Sequence, residues 1–144
     1  MQNHYNLLYR EEEREMMGLC KAEGIGVIPW SPLARGRLTR AWQSETTKRS
    51  ETDQFSKAIY TKTEDADKKV VDRLGELAEQ RGIARATLAL AWMLHKPVVT
   101  SPIVGATKAN HLDDAVAALA VKLTPEEIAS LEEPYVPHAV LGFS

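Results

Sequence analysis

The chain has 144 residues, 44% of them apolar, and a net charge of −2. That suffices for one domain with a buried core but falls short of a closed eight-stranded α/β barrel, which takes about 250 residues. The interspersed charge excludes the basic stripe that nucleic acid requires, and the single cysteine, Cys20, excludes an internal disulfide or a thiolate metal cluster.

Residues 1–8 read as a short strand. The charged run Arg10–Glu15 opens a helix whose inner stripe is Met16, Leu19 and Cys20, with the charges as a solvated face. Gly24 ends it, because glycine tolerates positive φ. Ile25–Trp30 is short, rich in β-branched residues and interrupted by Pro29, the pattern of a strand buried on both faces. Ser31–Gly36 is a tight loop. From Arg37 to Asp65 the composition turns polar without periodicity, which predicts a long surface excursion. Ala66–Arg81 is an amphipathic helix with Val70, Val71, Leu74, Leu77 and Ala78 on one face, terminated by Gly82.

Ala86–His95 is apolar nearly all round and predicts a buried helix that stops at Lys96-Pro97. Its run Leu88–Leu94 is the longest apolar stretch, well short of the ~20 residues that cross a bilayer, and Met1–Tyr5 carries no signal-peptide core. A soluble, cytoplasmic protein in a reducing compartment is the expectation. Val98–Val104 is a third strand candidate. Thr107 is the expected N-cap of a helix with Leu112, Val116 and Leu119 inward. Thr124, Pro125 and Glu127 spell a capping box for a last helix that ends before Pro134. The tail Tyr135–Ser144, with Val140, Leu141 and Phe143, is expected to pack as an extended segment.

Strands alternating with helices imply α/β architecture, parallel pairing and right-handed crossovers. Three strands would leave two exposed apolar edges. The periodicity therefore predicts an incomplete fold that self-associates through strand edges.

Four segments, in register, resemble the aldo-keto reductases. They are Gln2-Asn3-His4-Tyr5-Asn6-Leu7-Leu8 followed by Arg10-Glu11-Glu12-Glu13; Val27-Ile28-Pro29-Trp30-Ser31-Pro32-Leu33-Ala34-Arg35-Gly36-Arg37-Leu38-Thr39; Ala86 to Leu94; and Pro102-Ile103-Val104-Gly105-Ala106-Thr107-Lys108 with His111-Leu112. The likeness spans essentially the whole chain. It is greatest to a bacterial subgroup with a Pro-His tail, as at Pro137-His138, one member of which is linked to 1-deoxyxylulose 5-phosphate metabolism. The resemblance implies a partial (β/α)8 TIM barrel. Residues 1–36 would be strands six and seven with the phosphate loop, 37–65 the excursion, and 66–144 the remaining helices, strand eight, a C-terminal helix and the tail. It also implies an NADP(H)-dependent oxidoreductase that turns carbonyls into alcohols.

The residues suit that chemistry in particular ways. Gln2 carries a primary amide that both donates and accepts, as a nicotinamide carboxamide requires. Trp30 offers a flat stacking face, although a tryptophan ending an apolar strand is by itself more often core. Trp92, on the apolar helix, reads as core. In the loop, which also contains Pro32, Ser31, Leu33 and Gly36 would bring backbone N–H groups and a hydroxyl to a pyrophosphate, with Arg35 and Arg37 adding charge. Gly105, Thr107 and Lys108 begin a helix whose N-terminus favours anions, and the resemblance implies the adenosine 2′-phosphate of NADP there. His111 and Asp114 follow, Asp114 in position to accept from the adenine amino group. The chain departs from the commoner family pattern at Arg40-Ala41-Trp42 and at Ala115.

The four histidines, His4, His95, His111 and His138, share no metal-ligand spacing. Tyr5, Tyr9, Tyr60 and Tyr135 do not match the family's catalytic tyrosine motif, so no catalytic residue is assigned. In the family these residues precede the sixth strand, which implies a chain that is inactive alone. The competing expectation is a non-catalytic interaction module, since some relatives of this fold are regulatory subunits of channels.

Overall fold

The computed structural model describes residues 1–42 and 63–139. Most of the expected excursion, and the tail residues Val140, Leu141 and Phe143, lie outside the described residues.

Three extended stretches run side by side, though none of them forms a regular strand among the described residues. Pairing is confined to isolated parallel bridges, His4 with Trp30 and Val27 with Val99. The hydrogen bonds around them hold a consistent parallel register. Ile28 N donates to Met1 O at 2.8 Å and Trp30 N to Asn3 O at 2.9 Å, while Thr100 N donates to Val27 O and Ile103 N to Pro29 O, both at 2.8 Å. The stretch 26–30 therefore lies between the other two. The expected full strands are cut short by proline: Pro29 and Pro102 bring no N–H to the ladder.

Five α-helices among the described residues accompany these stretches: α1 (Met16–Ala22), α2 (Glu64–Arg81), α3 (Arg85–Leu94), α4 (Ala109–Ala117) and α5 (Pro125–Glu132). The apolar stripe of α2 is buried as its periodicity predicts, and Gly82 ends the helix with φ 62°. Every residue of α3 from Ala86 to Met93 is buried. Thr124 and Glu127 form the reciprocal capping box of α5, with Pro125 in its first turn.

Trp92 is the hub of the core. Its side chain is fully buried, it stacks on Tyr5 at 5.4 Å, and its Nε1 donates to Glu132 at 2.8 Å. Arg10 and Lys96 lie over its ring at 5.8 and 4.9 Å, and Glu132 accepts from both. One indole thus ties the N-terminal stretch, α3 and α5 together.

Four expectations are corrected. The charged run is not a solvated helix face. It forms a 3-10 turn at Glu11–Glu13 ahead of α1. Glu11 is buried there, accepting from Tyr135 Oη at 2.6 Å and His138 N at 2.7 Å, with Arg14 at 2.8 Å. The inner residues of α1 are Met17 and Cys20, whereas Leu19 is 51% exposed, because the turn before α1 resets its phase. Leu112, Val116 and Leu119 are 55–65% exposed, since nothing among the described residues covers that face. The N-cap of α4 is Lys108, without a side-chain cap, so Thr107 sits one residue outside the helix.

Candidate functional site

In a parallel layer, all stretches leave from the same edge, and the loops there carry the chemistry of α/β proteins. The middle stretch exits at Trp30 into Ser31–Gly36, and the third exits beyond Ile103 into Gly105–Lys108 and α4. The Ile103–Pro29 hydrogen bond keeps the two exits adjacent. The His4–Trp30 bridge places Gln2 level with Ile28, and both are exposed.

The Ser31–Gly36 loop stores backbone strain. Ser31, Ala34 and Arg35 have φ of 54°, 47° and 54°, followed by Gly36 at 95°. Each left-handed residue other than glycine costs about 1–2 kcal/mol, and such strain gathers at ligand-binding sites. Buried Pro32 and Ala34 hold the loop against the core, and Leu33 packs on it. The amides of Ala34 and Gly36 are used within the turn, donating to Ser31 O at 3.0 Å and Leu33 O at 2.9 Å. Ser31 Oγ is buried and has no hydrogen-bond partner among the described residues. A buried hydroxyl left in that state is costly, and a phosphate oxygen is one group that would satisfy it. Arg35 is half-buried in the loop. Arg37 turns toward α2, 3.9 Å from Glu64, and its guanidinium lies over Trp42 at 5.4 Å.

Behind Trp30 lies a feature that the sequence reading did not single out. His4 is the middle ring of a stack, 4.7 Å from Tyr9 and 4.3 Å from Trp30, with interplanar angles of 15° and 14°. The Asn6 side-chain amide is 3.2 Å from His4 Nε2 and donates to Ser31 O at 3.0 Å. Donation to Nε2 assigns the imidazole proton to Nδ1. Burial, and then the positive charge of Arg35, push His4 down to about 4, so the ring is neutral at pH 7. The oxygen of Asn6 accepts from Leu8 N at 2.9 Å and Tyr9 N at 3.1 Å, which fixes the turn that delivers Tyr9. The turn-forming habit of asparagine was a usable signal for Asn6. His4 gave none, because its partners are set by the register between separate stretches.

The second exit is more open. Gly105, Thr107 and Lys108 are exposed, and His111 and Asp114 are half-buried. Thr107 N donates to His111 Nδ1 at 3.4 Å, closing the turn into α4. The backbone carbonyl of Asp114 accepts from Thr87 Oγ1 at 3.1 Å, anchoring α4 to α3. The structure thus brings Trp30, the strained loop and Gly105–Lys108 to one edge, with Gln2 exposed on the first stretch, and turns Arg37 aside.

Tyr5 lies in the charged network around Trp92. Its hydroxyl donates to Glu13 at 2.5 Å, and burial, then the Glu13 charge, push its pKa far up. Tyr135 is raised by burial and by its hydrogen bond to Glu11. Neither phenol is tuned as an acid.

The comparisons with known proteins agree with one another. A family model described as the Aldo/keto reductase family matches residues 1–135. The versiconal hemiacetal acetate reductase of Aspergillus parasiticus is 50% identical over 141 residues, covering 97% of this chain and 41% of that protein. An aldo-keto reductase of Fusarium vanettenii is 40% identical over 144 residues, covering 100% of this chain and 38% of that protein. A thermostable aldo-keto reductase solved with the inhibitor epalrestat superposes with a TM-score of 0.66 at 25% identity, over 92% of this chain and 38% of that one. The chain spans about two-fifths of the length of the curated relatives it matches. These relatives are fungal and lend no support to the bacterial likeness or its 1-deoxyxylulose 5-phosphate link.

Proposed function

Since the chain belongs to the aldo/keto reductase family, we propose that it carries the NADP(H)-holding portion of a carbonyl-reducing oxidoreductase. Its three parallel stretches would be the last three staves of a (β/α)8 barrel. The reading rests above all on one observation. The left-handed loop at Ser31–Gly36, with its unsatisfied Ser31 hydroxyl, emerges beside the turn Gly105–Lys108 at a single edge of the layer.

In this reading Gln2 holds the nicotinamide carboxamide and Trp30 stacks on the ring. Ser31 and the remaining amides of the loop meet the pyrophosphate, with Arg35 as the nearby charge. Lys108 and Thr107, ahead of the positive end of α4, meet the adenosine 2′-phosphate, which favours NADP over NAD. His111 and Asp114 border the adenosine. Arg37, engaged with Glu64 and Trp42, contributes least. The bound cofactor would supply the hydride. These residues would bind and orient it, and none of them delivers the proton that carbonyl reduction also needs. The chain alone is accordingly proposed to bind NADPH weakly and to reduce no carbonyl substrate. No helix among the described residues is long and apolar enough to cross a membrane, and we place the protein in the cytoplasm.

Fluorescence titration with NADPH and NADH, beside an aldehyde-reduction assay, tests each part. Quenching by NADPH at lower concentration than NADH, without turnover, is expected. Equal affinities would remove the 2′-phosphate contact, and steady turnover would overturn the assignment of no catalytic residue.

A second reading, a non-catalytic module that self-associates, draws on the exposed apolar residues Ile28, Ile103, Leu112, Val116 and Leu119. It predicts a stable oligomer in light scattering and no response to either nucleotide.

A further inference from the structure

We propose that His4 is a positioning residue that sets the tilt at which Trp30 presents its indole to the nicotinamide ring, an inference that rests on the cofactor reading above. Trp30 is only half-buried, and a partly exposed indole free to change rotamer makes a poor platform. Hydride transfer depends on ring placement to within about 1 Å. Something must therefore hold the indole plane. The flat ring packed 4.3 Å away and 14° from parallel is His4, itself backed by Tyr9 at 4.7 Å and 15°.

This brace is fixed from several sides. His4 is 9% exposed, so its ring has little room to swing. Its rotation about the ring normal is set by the Asn6 amide at Nε2. The same amide group donates to Ser31 O, the first residue of the strained loop. Asn6 therefore links the ring that backs Trp30 to the loop proposed to hold the phosphates. Tyr9 is in turn placed by the Asn6 turn, whose side-chain oxygen accepts from Leu8 N and Tyr9 N. A flat neutral ring is what the position demands. An aliphatic side chain of similar size would fill the space without dictating the angle of the indole.

The test uses the intact chain and three variants, His4→Phe, His4→Leu and Trp30→Phe. The near-UV circular dichroism band lost in Trp30→Phe identifies the signal of Trp30. His4→Phe keeps the planar ring and is expected to retain that band and to bind NADPH within about twofold of the unmodified chain. His4→Leu is expected to lose most of the band and to bind NADPH about tenfold more weakly, the scale of one aromatic pair, with its far-UV spectrum unchanged. Equal behaviour of the two His4 variants, in either direction, overturns the inference while leaving the cofactor reading intact. An unmodified chain that fails to take up NADPH overturns the cofactor reading and this inference with it.

Discussion

Behind the paired stretches, α3 is buried from Ala86 to Met93 and Trp92 is fully enclosed. In front of them Gln2 and Gly105–Lys108 are exposed, and Ile28 and Ile103 remain 39% and 42% exposed. The first region spends its apolar surface on stability, and the polar groups around Trp92 are paired, as Glu132 is with Trp92, Arg10 and Lys96. The second holds left-handed backbone and a hydroxyl without a partner among the described residues. A strained site persists only when a well-packed body over-determines it, and Trp92 and Trp30 measure that division. Trp92→Ala is expected to cost about 3–5 kcal/mol in urea denaturation, from the cavity and the stranded Glu132, whereas half-buried Trp30→Ala costs less than about 2. Equal costs would mean that the site end is as much core as the helices are.

Acid sharpens the same contrast. Folded His4 stays neutral down to about 4, while in the unfolded chain it takes up a proton near its ordinary 6.5. Between those values the unfolded state binds more protons. The contribution of His4 is therefore complete above pH 6.5 and is lost as pH falls toward 4, on the order of 3 kcal/mol. Burial acts oppositely on Asp67 in α2, raising it to about 6 from 3.8, so acid favours its folded form over an overlapping window. A single stability profile would mix the two signs. Comparison of the unmodified chain with His4→Phe isolates the histidine, and the stability of the unmodified chain relative to that variant should fall steadily from pH 6.5 to 4. A constant difference would place His4 in water rather than in the stack.

A smaller effect belongs to α5, whose cap is the clearest local signal in the chain. Thr124 accepts from Glu127 N at 3.2 Å, and the Glu127 side chain accepts from Thr124 N at 2.8 Å. Thr124→Ala should lower stability by about 1 kcal/mol in urea denaturation, with no change in NADPH quenching.

What the sequence disclosed divides along similar lines. The faces of α2 and α3 and the cap of α5 were legible because periodicity and capping are local. Trp30, the loop after it and the turn at Gly105 were legible as chain exits, and the family resemblance supplied their roles. Three things were hidden, two because they depend on residues far apart in the chain and one because of a local turn that periodicity does not announce. Glu11 looked like one charge in a solvated run, yet its partners Tyr135 and His138 lie more than 120 residues away. His4 gained its stack only through the register that sets it beside Trp30. The phase of α1 was misplaced because Glu11–Glu13 turns as a 3-10 helix before it, which puts Met17 inward in place of Leu19.

The stripe of Leu112, Val116 and Leu119 brings the smallest expected change in stability. Its spacing of four and three residues marks an apolar face, and periodicity says that such a face exists without saying what covers it. Among the described residues nothing covers the face, with Val116 at 65% exposure. Replacing an exposed side chain that contacts little should change the stability of the isolated chain by less than about 0.5 kcal/mol, so Val116→Lys is expected to unfold at nearly the same urea concentration. Its effect should appear in association instead. If copies of the chain pair through this face, a lysine placed between two leucines would bury an unpaired charge at the contact, and the light-scattering mass should fall toward that of a monomer. A variant clearly less stable as a monomer would show that the face is packed within the chain, and the contrast between a closed helical body and an open site end would have to be redrawn around α4.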